Sequence, residues 1–201
     1  MTNPRRMCCF ATVLLVALVG WGCSTSSSSR SPYADPSSVA RDPERARQLQ
    51  GEASALSRRE GPSADAEVEK LLREALAADL YCGPAHNNLG VLFLRKGLVY
   101  EAAEEFEWAR KLMPGHPDPR VNLALALETA GRDREAIDAY DSALAVYEGY
   151  LPALQGRSRL QIATGRTDEE TLAALDEIAL RGTRPWREWA LLWRTKIDST
   201  P

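Results

Sequence analysis

The sequence predicts an all-α fold, a solenoid of about three to four helical hairpins closed by a C-terminal capping helix. From Asp42 onward, apolar residues recur at helical spacing, and no segment shows a convincing alternation of apolar and polar residues. Residues 83–150 contain one pattern written twice, 34 residues apart. Because one hairpin cannot bury its apolar face alone, we expect the repeated hairpins to stack, with atypical units at both ends.

Composition narrows the classes of function. The 201 residues include 25 basic and 28 acidic side chains, a net charge of −3, so no broad basic field favours nucleic acid as a partner. Two histidines and four cysteines are too few to favour a metal cage or a disulfide framework. Phosphate-binding loops, dinucleotide fingerprints, zinc-protease motifs and nucleophile elbows are missing from the sequence. We therefore expect no catalytic residues, no metal and no cofactor.

The N-terminal segment has the features of a targeting signal. Arg5 and Arg6 precede an uncharged, largely apolar run, residues 8–21, which is shorter than the roughly 20 residues of a membrane-spanning helix. The run ends in Gly20-Trp21-Gly22 before Cys23. This stretch resembles the bacterial lipoprotein signal, which implies a signal peptide over residues 1–22 and a lipid on Cys23. An ordinary secretory signal or a plain anchor is the alternative.

The residue after the lipid acceptor bears on localisation. It is Ser24 rather than Asp, which in enteric-type lipoproteins favours the outer membrane. We therefore expect a chain anchored to the outer membrane and facing the periplasm, with the inner membrane and the cell surface as alternatives. Residues 23–41 are rich in serine and contain Pro32 and Pro36, a composition that cannot bury a core. We expect a disordered tether there.

Helix boundaries follow from capping and breaking residues. Asp42 is an N-cap before Pro43, and Gly61-Pro62-Ser63 interrupts the helical pattern, so residues 42–82 form a degenerate hairpin. Two clear units follow, residues 83–116 and 117–150, then a degenerate unit over residues 151–182.

Each clear unit places small residues where its two helices meet and a glycine where they turn. Gly97 and Gly131 occupy the turn, where a positive φ is needed, and Gly165 repeats the pattern in the third unit. The small residues are Gly90, Ala102 and Ala109 in one unit and Ala124, Ala136 and Ala143 in the next. In the third unit Glu170 falls at the place of Ala102 and Ala136. This pattern resembles the tetratricopeptide repeat (TPR).

The resemblance implies a concave groove lined by the first helix of each unit. Asparagines in such a groove offer paired donors and acceptors to an extended peptide backbone. Alternatively, these asparagines only cap and pack. The basic residues with which chaperone-binding members of the family hold a carboxylate are replaced here by Asn87, Pro152 and Gly156. The residues expected to line the groove are Asn87, Asn88, Val91, Arg95, Asn122, Leu125, Glu128, Gln155 and Arg159.

The C-terminal segment, residues 183–201, differs from the repeats. Trp186, Trp189 and Trp193 share one face of a predicted helix, and we expect Leu192 to join that side. The helix is predicted to cap the last repeat. The alternative is an exposed aromatic docking face, because tryptophan is a frequent interface anchor.

Three further side chains carry expectations. His86 is expected to be packed rather than catalytic, and the acidic pair Glu104-Glu105 to be solvated. After signal cleavage Cys82 would be the one free thiol. Together these features predict a lipid-anchored, non-enzymatic scaffold that binds a protein or an extended peptide, in the manner of assembly factors for pili or secretion complexes. The alternatives are an accessory protein that positions peptidoglycan-remodelling enzymes, and a small enzyme hidden in the degenerate third unit.

Overall fold

Asp42 caps the first helix as its sequence predicts, since its carboxylate accepts a hydrogen bond from the backbone N–H of Arg45 at 2.9 Å. The computed structural model describes residues 41–199. The expected signal peptide, Cys23 and nearly all of the expected tether lie outside the described residues. Arg41, the last residue of that tether, is described, and its guanidinium pairs with Asp79 at 2.9 Å.

Helices account for most of the described chain, and the predicted all-α class is confirmed. A 3₁₀ helix, Gly61–Ala64, lies between the first two α-helices. The α-helices are α1 (Pro43–Glu60), α2 (Asp65–Ala78), α3 (Gly83–Arg95), α4 (Val99–Leu112), α5 (Asp118–Thr129), α6 (Asp133–Val146), α7 (Leu151–Ala163), α8 (Glu169–Arg181) and α9 (Arg184–Asp198).

Neighbouring helices pack in hairpins, α1 with α2, α3 with α4, α5 with α6 and α7 with α8. Each first helix also contacts the first helix of the next hairpin, because α1 meets α3, α3 meets α5 and α5 meets α7. The four first helices therefore lie side by side and form one continuous face.

The turns within the hairpins use the predicted glycines. Gly97, Gly131 and Gly165 have φ of 77°, 73° and 68°, which confirms the expected left-handed turn conformation. Close approach of helices has a different requirement. A Cβ on Gly90 would lie 2.6 Å from Cε1 of Phe106, so only glycine lets α3 and α4 meet at this distance.

The third hairpin corrects one sequence expectation. Ala102 and Ala136 are buried five residues after the glycines of their turns, and the sequence predicts no small residue at this place in the third unit because Glu170 falls there. In the structure α8 begins later, and the buried residue is Thr171, one position further on and fully shielded from solvent. A capping box between Asp168 and Thr171 fixes this start, and five residues separate α7 from α8 where three separate the helices of each of the two preceding hairpins.

The interior of this hairpin is also more polar. Arg157, Ser158 and Gln161 are buried on α7, and Gln161 accepts a hydrogen bond from the Thr171 hydroxyl at 3.1 Å. Arg157 reaches Asp141 on α6 at 2.9 Å, so its guanidinium ties two hairpins together. In this hairpin polar contacts replace the apolar contacts of the earlier units, which explains why its sequence matches the repeat pattern less well.

Two buried clusters form the core. The larger extends from α1 to the start of α7, and the smaller joins α7, α8 and α9 around Leu175 and Ile178. None of the helices in residues 41–199 is long and apolar enough to cross a membrane.

Candidate functional site

The face formed by the first helices, α1, α3, α5 and α7, carries the residues predicted to line a groove. Asn87, Asn88, Val91 and Arg95 lie on α3; Asn122, Leu125 and Glu128 lie on α5; Gln155 and Arg159 lie on α7. Because these helices contact one another directly, the structure brings the predicted set together on one surface, hereafter the groove.

The asparagines of the groove bond across hairpins. The Asn122 side-chain amide donates to Oδ1 of Asn87 at 2.9 Å, and the Asn88 amide donates to Oγ of Ser54 at 2.8 Å. All three asparagines are half-buried. Each bond uses only part of an amide's capacity, so the Asn87 NH₂ and the Asn122 oxygen can still pair with a peptide backbone.

Charged groove residues are also paired. Arg95 forms an ion pair with Asp65 at the start of α2. Arg159 forms another with Glu128 at 2.6 Å, and this contact raises the pKa of the Arg159 guanidinium. Tyr140 donates to the same Glu128 at 3.3 Å, and burial raises the pKa of its phenol well above the ordinary value. Each of these two ion pairs is neutral overall.

Apolar surface lies between these polar contacts. Val91 and Leu125 occupy equivalent places in successive units and expose 41% and 37% of their surface. Arg159 takes that place in the third unit, and Gln155 is half-buried beside it on α7. The groove thus alternates amides with solvent-accessible aliphatic side chains, an arrangement suited to an extended chain whose side chains point alternately to opposite sides.

The tryptophan face is directed into the fold. Trp186, Trp189 and Trp193 pack against the cluster around Leu175 and Ile178, and the rings of Trp186 and Trp189 meet edge to face at 5.2 Å. This packing agrees with the capping helix that the spacing predicts. The expectation for Leu192 is wrong, because its side chain is 53% exposed and does not join the packed tryptophans. The indoles are partly buried on the side of α9 that packs against α8.

One buried pair was missed by the sequence analysis. Glu105, expected on the surface, is buried on α4, where its Oε2 lies 2.6 Å from Nδ1 of His86. His86 is fully buried, as expected, and its Nε2 donates to the carbonyl of Leu80 at 2.9 Å. One feature of the sequence indicates that Glu105 is buried, namely its position directly before the buried Phe106 on α4. Its neighbour Glu104 remains exposed, as predicted.

Cys82 is a buried free cysteine just before α3, and burial raises the pKa of its thiol. A thiol of this kind is a poor nucleophile, which supports a packing role. Within residues 41–199 no cluster of histidine, cysteine or acidic side chains could hold a metal ion.

Comparison with known proteins places this geometry in a structural class. No family model matches the chain, and no curated protein matches it. Solved structures do. MamA is similar over 68% of this chain and 77% of its own, with a TM-score of 0.58 at 18% identity. The first TPR of Spaghetti, bound to an HSP90 peptide, is similar over 63% of this chain and 98% of its own, with a TM-score of 0.58 at 15% identity.

A third similar structure is an O-GlcNAc transferase mutant from Thermobaculum terrenum. The likeness covers 70% of this chain but only 27% of the transferase, with a TM-score of 0.61 at 22% identity. These likenesses, with the repeated hairpins and turn glycines, show that the chain has the TPR fold.

Proposed function

We propose that this protein is a lipid-anchored, non-enzymatic TPR scaffold of the bacterial cell envelope, which holds an extended segment of a partner protein in the groove. The main observation in support of the proposal is the groove itself. Val91 and Leu125 are solvent-accessible there, and the side-chain amides of Asn87 and Asn122 retain free hydrogen-bonding capacity. The similar TPR of Spaghetti binds a peptide, which supports the same use of this fold.

The anchor and the localisation are part of the proposal. The N-terminal pattern that resembles a lipoprotein signal supports lipidation at Cys23, attachment to the outer membrane and a periplasmic orientation. Two or three acyl chains hold a protein durably, because one chain alone binds a bilayer only marginally. An anchored scaffold of this kind would act as an assembly factor for a pilus or secretion complex, or would position peptidoglycan-remodelling enzymes.

Groove binding is tested by placing a photo-cross-linker at Leu125 in the producing cells. The matched control is Tyr100, which is 73% exposed on α4, outside the groove. We expect a discrete cross-linked protein from Leu125 and none from Tyr100, and the identity of the adduct distinguishes a pilus or secretion component from a cell-wall enzyme. The same adducts from both positions, or none from Leu125, would reject the groove as the binding surface.

Lipidation has its own test. Labelled palmitate is expected to be incorporated into the wild-type chain and into a Cys82→Ser variant, because Cys82 is buried. Incorporation is expected to be lost in Cys23→Ser, which should leave the membrane fraction. Equal labelling of the Cys23→Ser variant would contradict the lipoprotein assignment.

A further inference from the structure

A cleft of about 180 Å³ lies between α1, α2 and α3, at one end of the groove. Apolar side chains from α2 and α3 line it, Val68, Leu72, Val91 and Leu92. An apolar cavity of about 150 Å³ accommodates benzene, so the cleft has room for one leucine- or phenylalanine-sized side chain.

Polar groups surround this apolar lining. Ser54, Ser57 and Arg58 come from the last turns of α1, and Asn88 and Arg95 come from α3. The lining of this cleft contains two arginines and no carboxylate, although the whole chain carries a net charge of −3. Other clefts in the described part of the chain, such as those beside Glu69 and Glu107, are lined by both acids and bases.

The two arginines differ in their availability. Arg95 is already engaged by Asp65. Arg58 is exposed, and within residues 41–199 it forms no ion pair, whereas its neighbour Arg59 pairs with Glu60 at 2.9 Å. Arg58 is therefore the cation at the cleft that can receive a carboxylate from outside.

We infer that the cleft binds an acidic peptide segment of the partner protein, with one apolar side chain inserted between α1 and α3 and a neighbouring Asp or Glu carboxylate paired with Arg58. This assignment rests on the proposed function and specifies its ligand. Insertion removes apolar surface from water, while the bidentate guanidinium–carboxylate pair fixes the direction of the peptide across α1.

The inference is tested by selecting a displayed library of random linear peptides on the full chain in detergent micelles. We expect the selected peptides to share an apolar residue next to Asp or Glu. The affinity of the best peptide should fall about tenfold or more in Arg58→Glu, and by less than about twofold in Arg59→Glu, the same change one residue away and outside the cleft. Circular dichroism of both variants verifies that the helices remain.

Contrary outcomes separate the two proposals. Selected peptides without the acidic–apolar pair, or equal losses in the two arginine variants, would overturn the cleft assignment. Selection of no peptide at all would overturn it too. In each case cross-linking from Leu125 decides independently whether the groove binds a partner.

Discussion

The imidazole of His86 on α3 faces the carboxylate of Glu105 on α4 in the protein interior, with Nδ1 and Oε2 2.6 Å apart. A carbonyl oxygen only accepts hydrogen bonds, so Nε2 of His86 is the donor to Leu80. The short contact on the other side of the ring is a hydrogen bond between Nδ1 and the Glu105 carboxyl group. Trp108 stacks on the imidazole at 5.8 Å. The pair thereby ties the connection before α3 to the second helix of its hairpin.

Removing one partner of this pair should destabilise the protein. We expect Glu105→Ala to lower the free energy of unfolding by about 3 kcal/mol, because the buried His86 nitrogen loses its partner. Urea denaturation followed by circular dichroism measures the change. The adjacent Glu104→Ala, on the exposed face, should stay within about 0.5 kcal/mol of wild type. Equal stability of the two variants would show that the buried pair contributes nothing.

Glycines at close and open sites should respond in opposite directions to the same change. Gly90→Ala places a Cβ against the Phe106 ring, so we expect the midpoint of urea unfolding to fall, with a loss of about 2 kcal/mol. Gly51 lies within α1 with no atom near its missing Cβ. Gly51→Ala should therefore raise stability by about 0.5–1 kcal/mol through lower backbone entropy in the unfolded chain. A gain in stability for Gly90→Ala would contradict the close packing of α3 on α4.

Acid should weaken the contact between the two ends of the first hairpin, where Arg41 before α1 meets Asp79 after α2. The hydrogen bonds from Arg41 hold the pKa of the buried Asp79 below its ordinary value of 3.8. A carboxyl group with a lowered folded pKa stabilises the fold above its unfolded pKa, and this contribution is lost as the pH falls through the folded value.

We therefore expect the free energy of unfolding to decline as the pH drops from about 5 to below the ordinary carboxyl range. The decline should be shallower in Asp79→Asn, and also in Arg41→Ala, which removes the main cause of the shift. Unfolding curves measured across this pH range provide the check, and identical acid slopes in all three proteins would refute the link.

The two sides of α9 should differ in their contribution to stability. Trp189→Ala removes an indole packed on α8, and we expect a loss of about 2 kcal/mol. Leu192→Ala changes an exposed side chain of the same helix and should alter stability by less than about 0.5 kcal/mol. A neutral Trp189→Ala variant would favour the docking alternative for the tryptophan face over the capping helix.

Residue patterns predict only part of the candidate site. The repeat spacing predicted which positions share the groove, and the structure places Asn87, Val91, Asn122 and Leu125 there together. The repeat spacing did not predict that Asn122 donates to Asn87, because that hydrogen bond depends on the distance between α3 and α5. Arg58 was not predicted for the same reason, since it lies on α1 and meets the predicted groove residue Arg95 at the cleft only because two hairpins pack together.

Features that depend only on neighbouring residues along the chain can be predicted from the amino-acid sequence. The Asp42 cap and the turn glycines Gly97 and Gly131 lie where predicted, because capping and backbone conformation are local properties. Tertiary packing decided which side of each helix is buried. Glu105 lies inside because His86 faces it from another helix, and Thr171 takes the buried place because the turn around Gly165 is two residues longer than in the preceding hairpins. The indoles of α9 face inward because α8 offers an open apolar surface that water would otherwise cover.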